Sequence, residues 1–233
     1  MEGDIMDYLI NLWKDKPETS EIFTSADRVV LSPYFIQYFL EYDFFGATVP
    51  KFDAKKYVGL LPMFVCMEED HPNTKSVFLI LFKPIGTMAH YSVYMVNRYH
   101  GSIDILDSLP CANMEMSRTS FHGDCQNIIK RFVVLLKEVY GKAAYKASKH
   151  PNWVTIAKRP TFMDVPKQKN NDCGFFAMKL CSSYDGDEIV EYFGDVEAAA
   201  DDWKAEFMHT LMFSEKNEVI CSQLPKEIQS FAP

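Results

Sequence analysis

Lys167-Gln168-Lys169-Asn170-Asn171-Asp172-Cys173-Gly174-Phe175-Phe176-Ala177-Met178 passes from polar, turn-prone residues through one cysteine and one glycine into an apolar run with helical promise. That order sets Cys173 at or near a helix N-terminus, with Asn171 or Asp172 as the N-cap. Backbone N–H groups point outward there, and the helix dipole presents partial positive charge. A thiolate is stabilised in such a setting and its pKa falls. The competing account is a buried structural cysteine behind an ordinary loop. A base, an orienting group and an oxyanion donor elsewhere in the chain would decide for chemistry.

The chain has 233 residues, 48% hydrophobic and 24% charged, enough for one large core. It has no repeat, low-complexity stretch or Gly/Ser linker, so a single domain over 1–233 is expected. A net charge of −8 argues against a nucleic-acid binder held by a basic face. Met1-Glu2-Gly3-Asp4 carries no secretory signal pattern. The longest clean apolar run, Val77 to Phe82, is too short to span a membrane. The six cysteines are scattered, without a C-x-x-C pair. His122-Gly123-Asp124-Cys125 offers one candidate ligand pair but no second pair to complete a metal site. The expectation is a protein with free thiols and no metal or cofactor, placed inside the cell, in nucleus or cytoplasm.

Ile5, Met6, Leu9, Ile10, Leu12 and Trp13 recur at helical spacing behind Asp4, and Val29-Val30-Leu31 reads as a short strand. Ser32-Pro33 opens a second helix, and another runs from about Phe52 to Leu61. Val77-Phe78-Leu79-Ile80-Leu81-Phe82 reads as a buried strand. Tyr91 to Val96 and Ile103 to Asp107 flank a turn containing Gly101 and form an antiparallel hairpin. A long helix follows from Gln126 to Tyr140, ended by Gly141. Trp153 to Ile156 is a further strand candidate, and the cysteine helix extends to about Ser182. Tyr184-Asp185-Gly186-Asp187 is a turn, and Asp201-Asp202 caps a last helix. Helices flanking a central group of strands make an α+β pattern.

The hairpin supplies the partners that Cys173 needs. Centred between Arg98 and Tyr99, it sets His90 opposite Asp107, where Cβ atoms lie ~4.5–5.5 Å apart and ring and carboxylate can share a hydrogen bond. A loop centred on Gly101 would slide Asp107 away. A thiol needs a base to become a strong nucleophile at neutral pH, and a histidine oriented by a third group is the usual arrangement. His71, His100, His122 and His150 fall in or near loops, and His209 lies in the last helix.

These residues resemble those of the ubiquitin-like-specific cysteine proteases, the SUMO-protease or sentrin-specific protease family, especially its plant-like members. The shared signature is Ala89-His90-Tyr91-Ser92-Val93-Tyr94, then Ile105-Leu106-Asp107-Ser108-Leu109, then a Gln168 loop reaching Asp172-Cys173-Gly174-Phe175. The resemblance implies a papain-like α+β fold with rearranged chain order and a central mixed sheet flanked by helices. It implies cleavage after the C-terminal Gly-Gly of SUMO or another ubiquitin-like modifier and its conjugates. By that analogy Cys173 is the nucleophile, His90 the base and then acid, Asp107 its orienting carboxylate, and Gln168 an oxyanion donor. Asp4, Tyr91, Asp172 and Gly174 would line the modifier's tail. A monomer without nucleic acid or membrane is expected.

Two departures stand out. Gln168 lies five residues before Cys173 where the family usually has six, and Lys167 takes the expected place. The tryptophan that usually precedes Asp4 would fall at Met1, so either the clamp is looser or part of the domain lies upstream. These motivate the alternative of a weak or inactive relative that binds a modifier or another protein. A related fold carrying out acyl transfer is a third reading.

Overall fold

The computed structural model describes residues 28–31, 75–85, 88–110, 117–147, 160–189 and 196–213, with a few positions near the N-terminus (6, 8–10, 33, 34, 36, 54 and 55). Five strands form one mixed sheet in the spatial order of the chain: β1 (Arg28–Leu31), β2 (Ser76–Ile85), β3 (Met88–Asn97), β4 (Ser102–Leu106) and β5 (Pro160–Phe162). The outer pairs β1·β2 and β4·β5 are parallel, and β2·β3·β4 is an antiparallel meander. The helices are α1 (Arg118–Phe121), α2 (Cys125–Ala147), α3 (Cys173–Ser183) and α4 (Val196–Phe213). No helix among the described residues is long and apolar enough to cross a membrane.

β2 is a near-continuous apolar run because both of its faces are covered. One face, with Phe78, Ile80, Tyr91, Val93, Met95 and Leu106, packs on α3 and α4 through Phe176, Met178, Leu180, Trp203 and Phe207. Met6, Leu9, Ile10 and Val30 join the same cluster, and Met6 and residues 8–10 are helical as their spacing predicts. The ring of Phe176 meets Trp203 edge-on, and Phe175 stacks on Phe207. The other face holds Lys83, His90 and Tyr94, which meet the segment around α1. Lys83 Nζ donates to the Phe121 carbonyl at 2.6 Å and to Asp124 at 2.7 Å.

The strands run longer than their apolar runs. Lys83 and Pro84 interrupt the pattern that marks β2, yet pairing with β3 continues to Ile85↔Met88 and sets Lys83 beside His90. β5 has no apolar signature: its three residues are exposed, and Pro160 at its start has no N–H to give the ladder. Gly141 does not end α2. Lys142-Ala143-Ala144 beyond it are strong helix formers, and they offset a glycine cost of about 1 kcal/mol. α4 likewise starts before Asp201-Asp202, at Val196, because Glu197 and three alanines favour helix. Asp201 then lies inside the helix and accepts from Lys204 at 3.1 Å. The expected strand at 153–156 and nearly all of the helix at 52–61 lie outside the described residues.

The turn after α3 closes back on the sheet. Tyr184 bridges to Ile189, and its hydroxyl donates to buried Asp104 at 3.0 Å. Gly186 sits at φ +110°, with its carbonyl accepting from Asn97 Nδ2 at 2.7 Å. A Cβ there would lie 3.2 Å from that Nδ2 and 3.3 Å from Met95 Cε. Gly186→Ala is therefore expected to destabilise the protein by about 1–3 kcal/mol. An unchanged urea midpoint would refute this reading of the turn.

Candidate active site

The hairpin register differs from the expected one. Val93 pairs with Leu106 and Asn97 with Ser102, around a turn of Arg98 to Gly101, with Gly101 at φ +67°. The centre lies between Tyr99 and His100, so Asp107 continues the ladder opposite Ser92 and not opposite His90. The contact survives because strand faces repeat every second residue. His90 and Asp107 share a face as a diagonal pair, and a long side chain spans that gap. His90 Nε2 lies 2.7 Å from Asp107 Oδ1, with both groups buried.

The approach of Cys173 depends on the loop after β5. Met163 N–H donates to the Ile105 carbonyl, extending the β4·β5 pairing. Gln168 N–H donates to the Ser108 carbonyl at 2.9 Å, and Ser108 Oγ to Gln168 Oε1 at 2.7 Å. Lys167 Nζ donates to the Asp107 carbonyl at 2.9 Å. The chain thus returns to the end of β4 before α3 begins at Cys173. There the thiol faces His90 and the Tyr91 backbone N–H, both of which favour its ionised form. Since Nε2 of His90 faces Asp107, Nδ1 is the nitrogen left for the sulfur.

The protonation states follow from these contacts. Burial alone would lower the His90 pKa. Hydrogen bonds to Asp107 and Cys173 outweigh it and raise the group to about 9. Burial alone would raise the Cys173 thiol. His90 and the Tyr91 N–H overcome it, and the pKa falls below its ordinary value. Burial also opposes ionisation of Asp107, but donation from His122, His90 and the Leu109 N–H holds its pKa well below the usual carboxylate range. Both shifts favour a thiolate–imidazolium pair backed by a carboxylate, an arrangement suited to nucleophilic attack followed by proton donation.

The remaining expected residues fall as follows. Gln168 is buried, and its Nε2 donates to the Asn170 carbonyl at 3.0 Å. Asp172 occupies the N-cap position of α3 but makes no capping bond with its side chain. Its carboxylate instead receives Lys204 Nζ from α4 at 2.9 Å. Tyr91 has its ring buried against Phe82, centroids 4.5 Å apart, and Gly174 is buried. Asp4 lies outside the described residues.

One histidine in the cluster falls near a loop in the sequence and carries no signal of its own. His122, just after α1, is buried and places Nε2 2.8 Å from Asp107 Oδ2. Its Nδ1 lies 2.9 Å from the Tyr94 hydroxyl. Of the candidate ligands around it, Asp124 is engaged by Lys83. Among the described residues no group of three or more His, Cys, Asp or Glu side chains could hold a metal ion.

The family model that matches the chain is that of the Ulp1 protease family, C-terminal catalytic domain, over residues 1–187. No curated protein matches it. Among solved structures, SUMO protease Ulp1 with its catalytic cysteine oxidized to a sulfenic acid aligns at 15% identity with a TM-score of 0.53. That alignment covers 90% of this chain and 76% of the other. The sulfinic acid form of the same protease aligns at 15% identity and 0.51, covering 89% and 76%. At that identity the likeness is one of fold, and the fold is the α+β papain-like one.

If His90 holds the thiolate, His90→Ala leaves burial less opposed and Cys173 at or above the ordinary thiol pKa of about 8.5, at most a few per cent ionised at pH 7. Iodoacetamide should then alkylate Cys173 at pH 7 about tenfold or more slowly than in the wild type, read from the mass of the Cys173 peptide. Equal rates would remove His90 from the site.

Proposed function

The chain belongs to the Ulp1 protease family, a family of cysteine proteases, and on that premise we propose that it cleaves after the C-terminal Gly-Gly of a SUMO-like modifier, as a processing protease or isopeptidase. The observation that carries the reading is the line Asp107–His90–Cys173, in which a buried thiol has a lowered pKa beside a histidine raised to about 9.

Cys173 attacks the carbonyl carbon of the scissile bond as a thiolate. The carbonyl oxygen becomes an oxyanion, which the Cys173 N–H at the α3 N-terminus and the Gln168 amide are placed by analogy to receive. His90 gives its proton to the leaving amine as the tetrahedral adduct collapses to a thioester on Cys173. His90, now neutral, takes a proton from water as the hydroxide adds to the thioester carbonyl, and the adduct breaks its C–S bond to release the modifier's carboxyl group and return Cys173 as a thiolate beside protonated His90. Asp107 keeps the imidazole oriented and offsets its charge throughout. The reading includes a single catalytic domain over 1–233, acting as a monomer inside the cell without a cofactor. Asp172 and Gly174 flank Cys173 in sequence, and the Tyr91 backbone N–H faces the sulfur, which supports the use of all three in holding the modifier's tail.

One observation favours the second reading, a relative that binds but turns over weakly. Gln168 commits one of its two Nε2–H donors to Asn170 and its Oε1 to Ser108, which holds the amide away from free rotation toward an oxyanion. Losing one oxyanion donor costs on the order of 10²–10³ in rate. Modifier affinity measured apart from turnover separates the two, because tight binding without turnover belongs to the second.

An electrophilic probe built on SUMO should label the wild-type protein at Cys173 and leave Cys173→Ser unlabelled. Intact, folded protein that ignores SUMO and other ubiquitin-like probes would defeat the proposal. Turnover should follow a bell in pH. Its acidic limb lies below the ordinary thiol pKa of about 8.5, since Cys173 must be ionised. Its alkaline limb lies near 9, where His90 loses the proton it must donate.

A further inference from the structure

Asp107 serves two histidines at once. Oδ1 takes His90 and the Leu109 N–H, at 2.7 and 2.8 Å, and Oδ2 takes His122 at 2.8 Å. We propose that His122 is a positioning residue for the same site, whose imidazole pins the second oxygen of Asp107 and is itself pinned by Tyr94. The inference rests on the reading of Asp107–His90–Cys173 as the reacting line.

The hydrogen-bond chain assigns the His122 tautomer. Tyr94 is fully buried, and burial with nearby Cys125, Asp124 and Asp107 pushes its pKa well above the ordinary value. Its hydroxyl therefore keeps its proton. Asp107 is ionised and can only accept, so Nε2 of His122 must carry a hydrogen toward it. Nδ1 of a neutral ring is then the acceptor for the Tyr94 hydroxyl. The sequence of donors is Tyr94 O–H to His122 Nδ1, His122 Nε2–H to Asp107 Oδ2, and His90 Nε2–H to Asp107 Oδ1. The His122 ring has little room to turn. Phe121, Tyr94 and Phe162 stand edge-on around it, with centroids at 4.8, 5.5 and 5.6 Å.

The charges around His122 come from every neighbouring element. Lys83 stands on β2, Tyr94 on β3, Asp107 at the end of β4, Arg118 on α1, Asp124 in the turn before α2, and Cys125 at its start. Burial, and the positive charges of Lys83 and Arg118, lower the His122 pKa despite Asp107. His90 shares the same carboxylate, yet its pKa is raised. A second imidazolium on Asp107 would divide the carboxylate's charge between two cations. Neutral His122 leaves that charge to His90, while denying the carboxylate freedom to rotate and exchange its oxygens.

The test compares His122→Phe, which fills the space without a donor, and His122→Gln, whose amide N–H can replace Nε2–H. The rate of Cys173 alkylation by iodoacetamide is followed against pH in the intact chain, with kcat and KM on a modifier substrate and the thermal midpoint. His122→Phe should move the alkylation midpoint up toward the ordinary thiol value of about 8.5. It should lower kcat about tenfold or more with little change in KM, while His122→Gln stays within a few-fold of wild type. If His122→Phe does not fold, Tyr94→Phe substitutes for it, with a smaller shift in the same direction. The proposal is overturned if the Phe and Gln variants share one profile, wild-type or impaired, or if wild-type Cys173 itself titrates as an ordinary thiol. A low wild-type midpoint with the predicted split, but no turnover of any modifier, would sink the protease reading and leave the positioning role standing.

Discussion

A fully buried carboxylate that stays ionised is the constraint from which the rest of this site follows. Burying an unpaired charge costs several kcal/mol, so Asp107 holds its charge only while donors surround it. Those donors come from distant parts of the chain. His90 arrives on β3, His122 from the junction of α1 and α2, and Leu109 from the chain beyond β4. Lys167, from the loop before α3, and Arg118 turn to the carbonyl of the same residue. One desolvated charge therefore ties the hairpin, the α1 turn and the cysteine loop to a common point. Removing any one donor leaves a cost that the others must absorb.

The same low-dielectric interior acts on three cysteines, and only one of them has its pKa lowered. Cys125, Cys173 and Cys181 are all buried and free. Burial pushes the thiols of Cys125 and Cys181 well up, and the positive charges of Lys83 and Arg28 offset little of it. Cys173 has the same burial to overcome but faces His90 and the Tyr91 N–H at the start of a helix. Position at a helix end was the reason to notice Cys173. The imidazole, brought by the sheet, is what reverses the direction of its pKa. Lys204 binding Asp172 from α4 then ties that helix end to the far side of the core.

Much of the frame could be read from local pattern. The apolar run in β2, the strand formers of β3 and the turn at Gly101 located the meander, and helical spacing located α2 and α3. The errors came where local preference lost to context. α2 runs through Gly141, α4 starts before its apparent cap, and β5 is a strand only because β4 offers it an edge. The turn centre lies one residue beyond the expected one, which shifts the strand pairing by two residues. The inferred meeting of His90 and Asp107 outlived that error because facing is set by odd and even positions, which the shift preserved.

The sequence by itself determined the order of the chemistry-bearing residues, their placement at strand ends and at a helix start, and the family pattern they share. Those are properties of near neighbours and of simple periods, and a linear string records them. Only the tertiary structure decided that His122 and Tyr94 complete the surroundings of Asp107, that Gln168 is held by Ser108 and Asn170, and that Lys204 reaches Asp172. These contacts join irregular segments or separate elements, where no period links one residue to the next. Their partners are chosen by the need to satisfy buried polar groups once the core has closed around them.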